Sequence, residues 1–95
     1  MPGTAVRREI LEQMGIQQID LAHALSISPP RLCQFLNGRS AFTAEFSLRL
    51  AAVTRTEAEY WLGLQTNYDL HRVRQKISPA LDALAPLISP LDTDL

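Results

Sequence analysis

The sequence predicts an all-α protein of five helices, and three observations support this fold class. Apolar residues recur at helical spacing, and no stretch alternates apolar and polar residues as a strand does. Glycines and capping residues divide the periodic stretches into lengths typical of helices. With 95 residues, 46% of them hydrophobic, the chain can bury one core. We expect one domain in residues 1–77 and an extension in residues 78–95, either a short helix or partly disordered.

The first predicted helix follows Thr4, a residue that favours the N-cap position, and runs to about Met14. Val6, Ile10 and Met14 form one apolar stripe along this helix. Gly15 comes next and suits the left-handed residue that ends many helices.

Residues 18–37 contain two short helical patterns separated by a turn. Each pattern places apolar residues on one helix face, namely Leu21, Ala22 and Leu25 in the first and Leu32, Phe35 and Leu36 in the second. Between them, Ser28 suits an N-cap and Pro29 the first position of a new helix. Two short helices joined by such a turn form a helix-turn-helix, whose second helix normally enters the major groove of DNA.

Two further helices are predicted after the helix-turn-helix. Gly38 ends the second helix of that unit, and Thr43 caps a fourth helix that runs to about Val53. Its inner face is predicted to carry Phe46, Leu50 and Val53. Thr56 is predicted to cap a fifth helix, which continues to about Ile77 and buries Trp61 in the core.

The region after Ile77 contains three prolines and three acidic residues without any basic residue. Ser78 and Pro79 are predicted to start a short helix that ends near Ala85, and residues 87–95 are expected to be frayed. The apolar residues Leu81, Leu84, Leu87 and Ile88 could pack on the fifth helix, complete a dimer seam or contact a partner.

Several motifs give the chain a resemblance to a known family. The run GIQQIDLAHALSISPPRLCQFLNGRSAFTAEFSLRLA and the later EYWLGLQTNYDL resemble the HigA-type antitoxins of bacterial toxin–antitoxin modules. These are Cro/cI-like (XRE) helix-turn-helix proteins, and the resemblance covers about residues 2–76. The turn differs from the family pattern, because Ser26 stands where glycine is usual. A left-handed backbone at a non-glycine residue costs about 1 kcal/mol.

The resemblance implies a five-helix Cro/cI-like fold and a homodimer that binds palindromic operator DNA and represses its own operon. It also implies a partner toxin, a RelE-like ribonuclease that cuts mRNA on ribosomes, which the antitoxin neutralises. Two other interpretations stay open at this point. The chain could be a stand-alone or phage-type repressor without a toxin, or a protein-interaction module that has lost DNA binding.

The outer face of the second helix of the helix-turn-helix carries the predicted base-reading residues. Arg31 suits bidentate pairing with guanine, and Gln34 suits adenine. Donors around that helix are placed for phosphate contacts, and the resemblance supports the same positions. The complete predicted DNA-binding set is Gln18, Ser28, Pro30, Arg31, Cys33, Gln34, Arg39, Ser40 and Thr43.

Charge and helix length predict how this binding is achieved. All nine basic residues lie in residues 1–76, with seven acidic ones, so the bulk charge is only mildly basic there. We therefore expect affinity to depend on local placement and on dimerisation. The fifth helix is longer than the domain requires, and its late residues Tyr68, Leu70, Val73 and Ile77 are the predicted dimer seam.

Other classes of site find little support in the sequence. His23, Cys33 and His71 lack metal-ligand spacing, so we expect no metal site and no cofactor. No activated nucleophile or phosphate-binding loop is evident, so we expect neither an enzyme nor a small-molecule ligand. The single cysteine, the absence of a signal-peptide pattern and the lack of a long apolar run predict a cytoplasmic protein without membrane contact, associated with the nucleoid when operator-bound.

Overall fold

The computed structural model describes residues 1–88, in which all regular structure is helical. Five α-helices follow one another in the chain: α1 (Pro2–Val6), α2 (Gln18–Leu25), α3 (Pro29–Leu36), α4 (Ala44–Thr54) and α5 (Ala58–Asp82). A π-helical segment, Arg7–Glu12, continues α1. The predicted all-α, five-helix class is therefore confirmed. Within residues 1–88, no helix combines the length and apolarity that crossing a membrane would require.

The core lies where all five helices meet, and its centre is aromatic. The ring of Phe35 stacks on Phe46 with centroids 3.9 Å apart, and Phe42 meets both rings edge-on. Trp61 of α5 is buried in the same hydrophobic core, as predicted, and its indole Nε1 donates to Thr56 Oγ1 at 2.7 Å. The six apolar residues predicted to face inward from α2 and α3 are all buried.

The start of the chain differs from the prediction. Helix α1 begins at Pro2, because a proline is preorganised for the first turn, so Thr4 lies within the helix and caps nothing. The wider π-helical turns that follow change the register of the side chains. The predicted stripe therefore continues only from Val6 to Ile10, and Met14 is exposed. Gly15 has the predicted left-handed backbone, with φ of +66°.

The turn between α2 and α3 has the predicted chemistry. Ser26 is left-handed, with φ of +56°, and ends α2. Ser28 then caps α3, accepting a hydrogen bond from the Arg31 backbone N–H at 3.2 Å. Thr43 caps α4 in the same way, through the Phe46 N–H at 3.1 Å. Gly38, with φ of +74°, follows the end of α3.

Two predictions about α4 and the start of α5 are wrong. Val53 does not lie on the buried face of α4 but is exposed, while Ser47 takes the inward position. Thr56 does not cap α5, because its hydroxyl is occupied by Trp61 and by Thr54; the N-cap is Glu57, without a side-chain hydrogen bond. In both places tertiary packing decides against a local preference.

Helix α5 does not end at Ile77 but continues through Pro79 to Asp82, so the predicted short helix from Ser78 to Ala85 is wrong. A proline inside a helix removes its own N–H from the ladder and crowds the carbonyl four residues earlier, here that of Gln75, which is exposed and can bond to water instead. The projecting end of α5 gives the molecule extents of 52 × 29 × 22 Å. Of the residues predicted to fray, 89–95 lie outside the described residues.

Candidate nucleic-acid interface

The outer face of α3 brings the predicted base-reading residues together. Pro30, Arg31 and Gln34 are exposed, whereas Cys33 is half-buried at the edge of this face. Pro30, Cys33 and Gln34 line a shallow depression that Asn37 and Arg39 complete. The 100° rotation per residue that buries Leu32, Phe35 and Leu36 turns these side chains outward.

Arg31 is held in one orientation by three neighbours. Its Nη1 donates to Gln34 Oε1 at 2.9 Å and to Ser40 Oγ at 2.6 Å. The guanidinium carbon lies 4.3 Å from the centroid of the Phe35 ring, a cation–π distance. These contacts use one terminal nitrogen and leave the rest of the guanidinium fork able to donate. A fixed fork suits bidentate recognition better than a freely rotating one.

Hydroxyl, amide and guanidinium groups occur at the helix ends and in the loop next to α3. Ser28 and Thr43 use their oxygens as caps, and each hydroxyl still has a proton to donate. Gln18 stands half-buried at the first position of α2, while Arg39 is exposed and its side chain makes no hydrogen bond or ion pair within residues 1–88. Such donors around a recognition helix are suited to phosphate oxygens.

Two residues of this surface were missed by the sequence interpretation. Asn37, the C-cap of α3, donates through Nδ2 to Cys33 Sγ at 3.1 Å. It also accepts a hydrogen bond from Arg7 Nη2 at 2.6 Å, so the π-helical segment supplies an arginine next to the end of α3. The two residues are 30 positions apart, and no local pattern indicates their contact.

The sequence charge around α3 is one-sided. No acidic residue occurs between Asp20 and Glu45, a stretch that contains Arg31 and Arg39. Glu45 is paired with Arg49 at 3.0 Å, and Arg49 Nη1 also donates to the Leu25 carbonyl at 2.8 Å at the end of α2. A polyanion approaching α3 therefore meets positive charge without competing carboxylates on that stretch.

A second exposed surface runs along α5 and is apolar. Leu70, Val73 and Ile77 are 45%, 40% and 38% exposed, and the helical rotation places them on one face. We call these three residues the α5 stripe. Tyr68, predicted to belong with them, lies on the opposite face and lines a depression with Met1, Phe35 and Gly38. The structure therefore separates Tyr68 from the other predicted dimer residues.

The stripe continues toward both ends of α5. Leu62, on the same side, is exposed beside Leu48 of α4, and Leu81 extends the face beyond Pro79. Leu84, Leu87 and Ile88 are also exposed and do not fold back on the core. Within residues 1–88, no three His, Cys, Asp or Glu side chains converge as a metal-binding group.

Comparison with known proteins gives consistent matches to this fold. A family profile described as helix-turn-helix matches residues 8–61. The chain is 36% identical over 93 residues to virulence-associated protein I of Dichelobacter nodosus, covering 98% of this chain and 82% of the relative. It is 30% identical over 90 residues to antitoxin HigA-1 of Vibrio cholerae, covering 95% and 85%.

A solved structure extends the comparison to three dimensions. The antitoxin GraA, solved in complex with its operator, superposes with a TM-score of 0.82 and 31% sequence identity. The match covers 93% of this chain and 90% of the GraA chain, so it includes both the helix-turn-helix and most of α5.

Proposed function

Since the chain belongs to the HigA-type antitoxins of the helix-turn-helix family, we propose that it binds operator DNA as a homodimer, represses its own operon and neutralises a partner toxin. Helix α3 enters the major groove, with Arg31 pairing to guanine and Gln34 to adenine. The single observation that carries the DNA-binding proposal is the fixed Arg31 fork on an exposed helix face.

The phosphate contacts of the proposal come from the rim of α3. Arg39 and the hydroxyls of Ser28, Ser40 and Thr43 hold the backbone, together with Gln18 at the start of α2. Pro30 and Cys33 contact the groove without donating a backbone N–H or a strong side-chain hydrogen bond. Arg7 adds a positive charge beside the end of α3. These contacts set the position of the helix, and the base edges set the sequence.

The dimer of the proposal forms through the α5 stripe. Leu70, Val73 and Ile77 recur at spacings of three and four residues, the pattern of a helix–helix seam. Burying them against a second copy removes apolar surface from water. The two copies of α3 would then face successive major grooves about 34 Å apart, one turn of the double helix.

The toxin of the proposal is a RelE-like ribonuclease. The support is the likeness to antitoxin HigA-1, together with the exposed leucines Leu84 and Leu87, which lie beyond the end of α5 and outside the proposed dimer seam. Co-expression with the product of the neighbouring gene tests this part. We expect that product alone to arrest growth and to co-purify with this chain when both are made. A neighbouring gene without toxicity would instead favour a stand-alone repressor.

The DNA-binding part is tested by selection of duplexes from a random library. We expect the wild-type protein to enrich a pseudo-palindrome with half-site centres about 10 base pairs apart, bound by two chains. Affinity for that duplex should fall steeply as salt rises. Arg55→Ala is the matched control, because Arg55 is exposed at the far end of α4 and should not affect binding. Failure to enrich any duplex at low salt would contradict DNA reading.

A further inference from the structure

Gln65 is a buried polar side chain in the middle of α5, with only 8% of its surface exposed. A buried amide is destabilising unless its hydrogen-bonding groups are satisfied. Its Oε1 accepts from the backbone N–H of Phe42 at 2.8 Å, and its Nε2 donates to Asp69 Oδ1 at 2.9 Å. The side chain therefore joins α5 to a loop that lies 23 residues earlier in the chain.

That loop, residues 37–43, connects α3 to α4 and contacts the base-reading face. The backbone N–H groups of Arg39 and Ser40 donate to the Gln34 carbonyl at 2.9 and 3.2 Å. The Ser40 hydroxyl accepts from Arg31 Nη1. The Phe42 ring packs edge-on against Phe35, 6.0 Å between centroids, and Phe35 lies beneath the Arg31 guanidinium. Two of the three groups that hold Arg31 therefore depend on this loop. Ser40 belongs to the loop, and Phe35 packs against Phe42 of the loop.

We propose that Gln65 is a positioning residue for base reading, which fixes the loop through the Phe42 amide and so sets the direction of Arg31. The inference rests on the proposed DNA binding. Asp69 holds the Gln65 amide so that its oxygen faces Phe42, because the amide nitrogen must meet the carboxylate. The exposed α5 stripe is on the same helix, so Gln65 also ties the orientation of Arg31 to the frame of the proposed dimer.

The test compares binding to the duplex that the wild-type protein selects with binding to the same duplex carrying a substituted guanine pair. Gln65→Leu should reduce this discrimination by about tenfold, within the range that one bidentate base contact supplies. Affinity for unrelated DNA should stay unchanged. Ser47→Ala is the matched control, because Ser47 is also buried and polar but its Oγ has no hydrogen-bond partner among residues 1–88.

A second measurement separates positioning from a loss of structure. In an Arg31→Ala background, Gln65→Leu should cause no further loss of discrimination, because the residue through which it acts is gone. An additional equal loss in that background would overturn the inference. Hydrogen exchange of the Phe42 amide in the free protein should be slow in the wild type and fast in Gln65→Leu; equal protection in both would also overturn it.

A conservative pair keeps the proposal testable if Gln65→Leu does not fold. Gln65→Glu alone places two carboxylates together and should lose discrimination, whereas Gln65→Glu combined with Asp69→Asn restores a donor opposite the new carboxylate and should recover it. Failure of the pair to recover discrimination while folded and dimeric would contradict the inference. A wild-type protein that selects no duplex would instead contradict the proposed function, so the two failures are distinguishable.

Discussion

The helix-turn-helix region, residues 18–43, and the distal part of α5, residues 66–82, differ in what holds their residues in place. In the first, each turn is closed within the chain by its own cap, and Arg31 is fixed by Gln34, Ser40 and Phe35. In the second, no residue is buried. The proposed DNA-reading surface is therefore preorganised within one chain, whereas the apolar face of α5 is buried only in the proposed dimer.

The largest expected effect comes from disrupting that seam. Val73→Asp with Ile77→Asp places two charges on the α5 stripe and should give a monomer. Operator affinity should fall by about a hundredfold or more, because the second half-site is no longer held nearby. Light scattering gives the mass and fluorescence anisotropy the affinity. The control, His71→Asp with Gln75→Asp, changes exposed residues on the opposite face of α5 and should leave the mass and the operator affinity unchanged. If this control also became monomeric and lost affinity, the α5 stripe would not be the dimer seam.

The next effect concerns how α1 packs on α3. A Cβ at Gly3 would overlap the backbone carbonyl of Leu36, and neither backbone can move without displacing a helix. Gly3→Ala should therefore lower the free energy of unfolding by about 1–3 kcal/mol, as overpacking does. Denaturant unfolding measures this. Gly63→Ala is the comparison, because within residues 1–88 no atom beyond the adjoining turns of α5 itself lies within 4 Å of a Cβ there, and an alanine favours the helix. Equal effects at the two sites would contradict the packing argument.

Features that depend on local chemistry are predicted by the sequence, whereas features that depend on packing are not. Caps at Ser28 and Thr43 and the left-handed Gly15 and Gly38 follow from local chemistry, and the structure has them. Thr56 fails as a cap because its hydroxyl bonds to Trp61, a contact that depends on how α5 packs.

The candidate nucleic-acid interface also has features that the sequence predicts and features that only the fold reveals. The outward direction of Arg31 and Gln34 follows from helical rotation once Leu32 and Phe35 are placed in the core. The contact of Arg7 with Asn37 joins elements that only the fold brings together. Apolarity alone groups Tyr68 with Leu70, although a rotation of 200° over two residues places them on opposite faces.

A smaller effect is expected at the turn between α2 and α3. Ser26 adopts a left-handed backbone that glycine adopts without strain, so Ser26→Gly should raise the free energy of unfolding by about 0.5 kcal/mol at most, because the greater flexibility of the unfolded chain offsets part of the relieved strain. Arg55 is also left-handed, with φ of +55°, so Arg55→Gly should change the free energy of unfolding by a similar amount. Thermal unfolding of both variants measures the gain. A loss of stability in Ser26→Gly would mean that the serine side chain itself stabilises the turn.

The smallest effect appears at alkaline pH. Tyr60 donates its hydroxyl to both carboxylate oxygens of Glu9, at 2.7 and 2.8 Å, and this hydrogen bond, with partial burial and the Glu9 charge, raises the pKa of Tyr60 above 10.0. Its contribution to stability is present below pH 10 and is lost as pH rises through the raised pKa. Tyr60→Phe should weaken the alkaline loss of stability, because a phenylalanine ring has no hydroxyl to titrate. Identical alkaline profiles for Tyr60→Phe and the wild type would contradict this linkage.

Paired titrations of Arg31→Ala and Arg39→Ala decide whether α3 reads bases through a preorganised Arg31. Each variant is titrated with the selected duplex and with unrelated DNA. Arg31→Ala should weaken binding to the selected duplex by about 1–3 kcal/mol and leave unrelated DNA unaffected, whereas Arg39→Ala should weaken both and reduce the salt slope by about one. An equal loss on both duplexes for Arg31→Ala would make Arg31 a phosphate contact and contradict base reading.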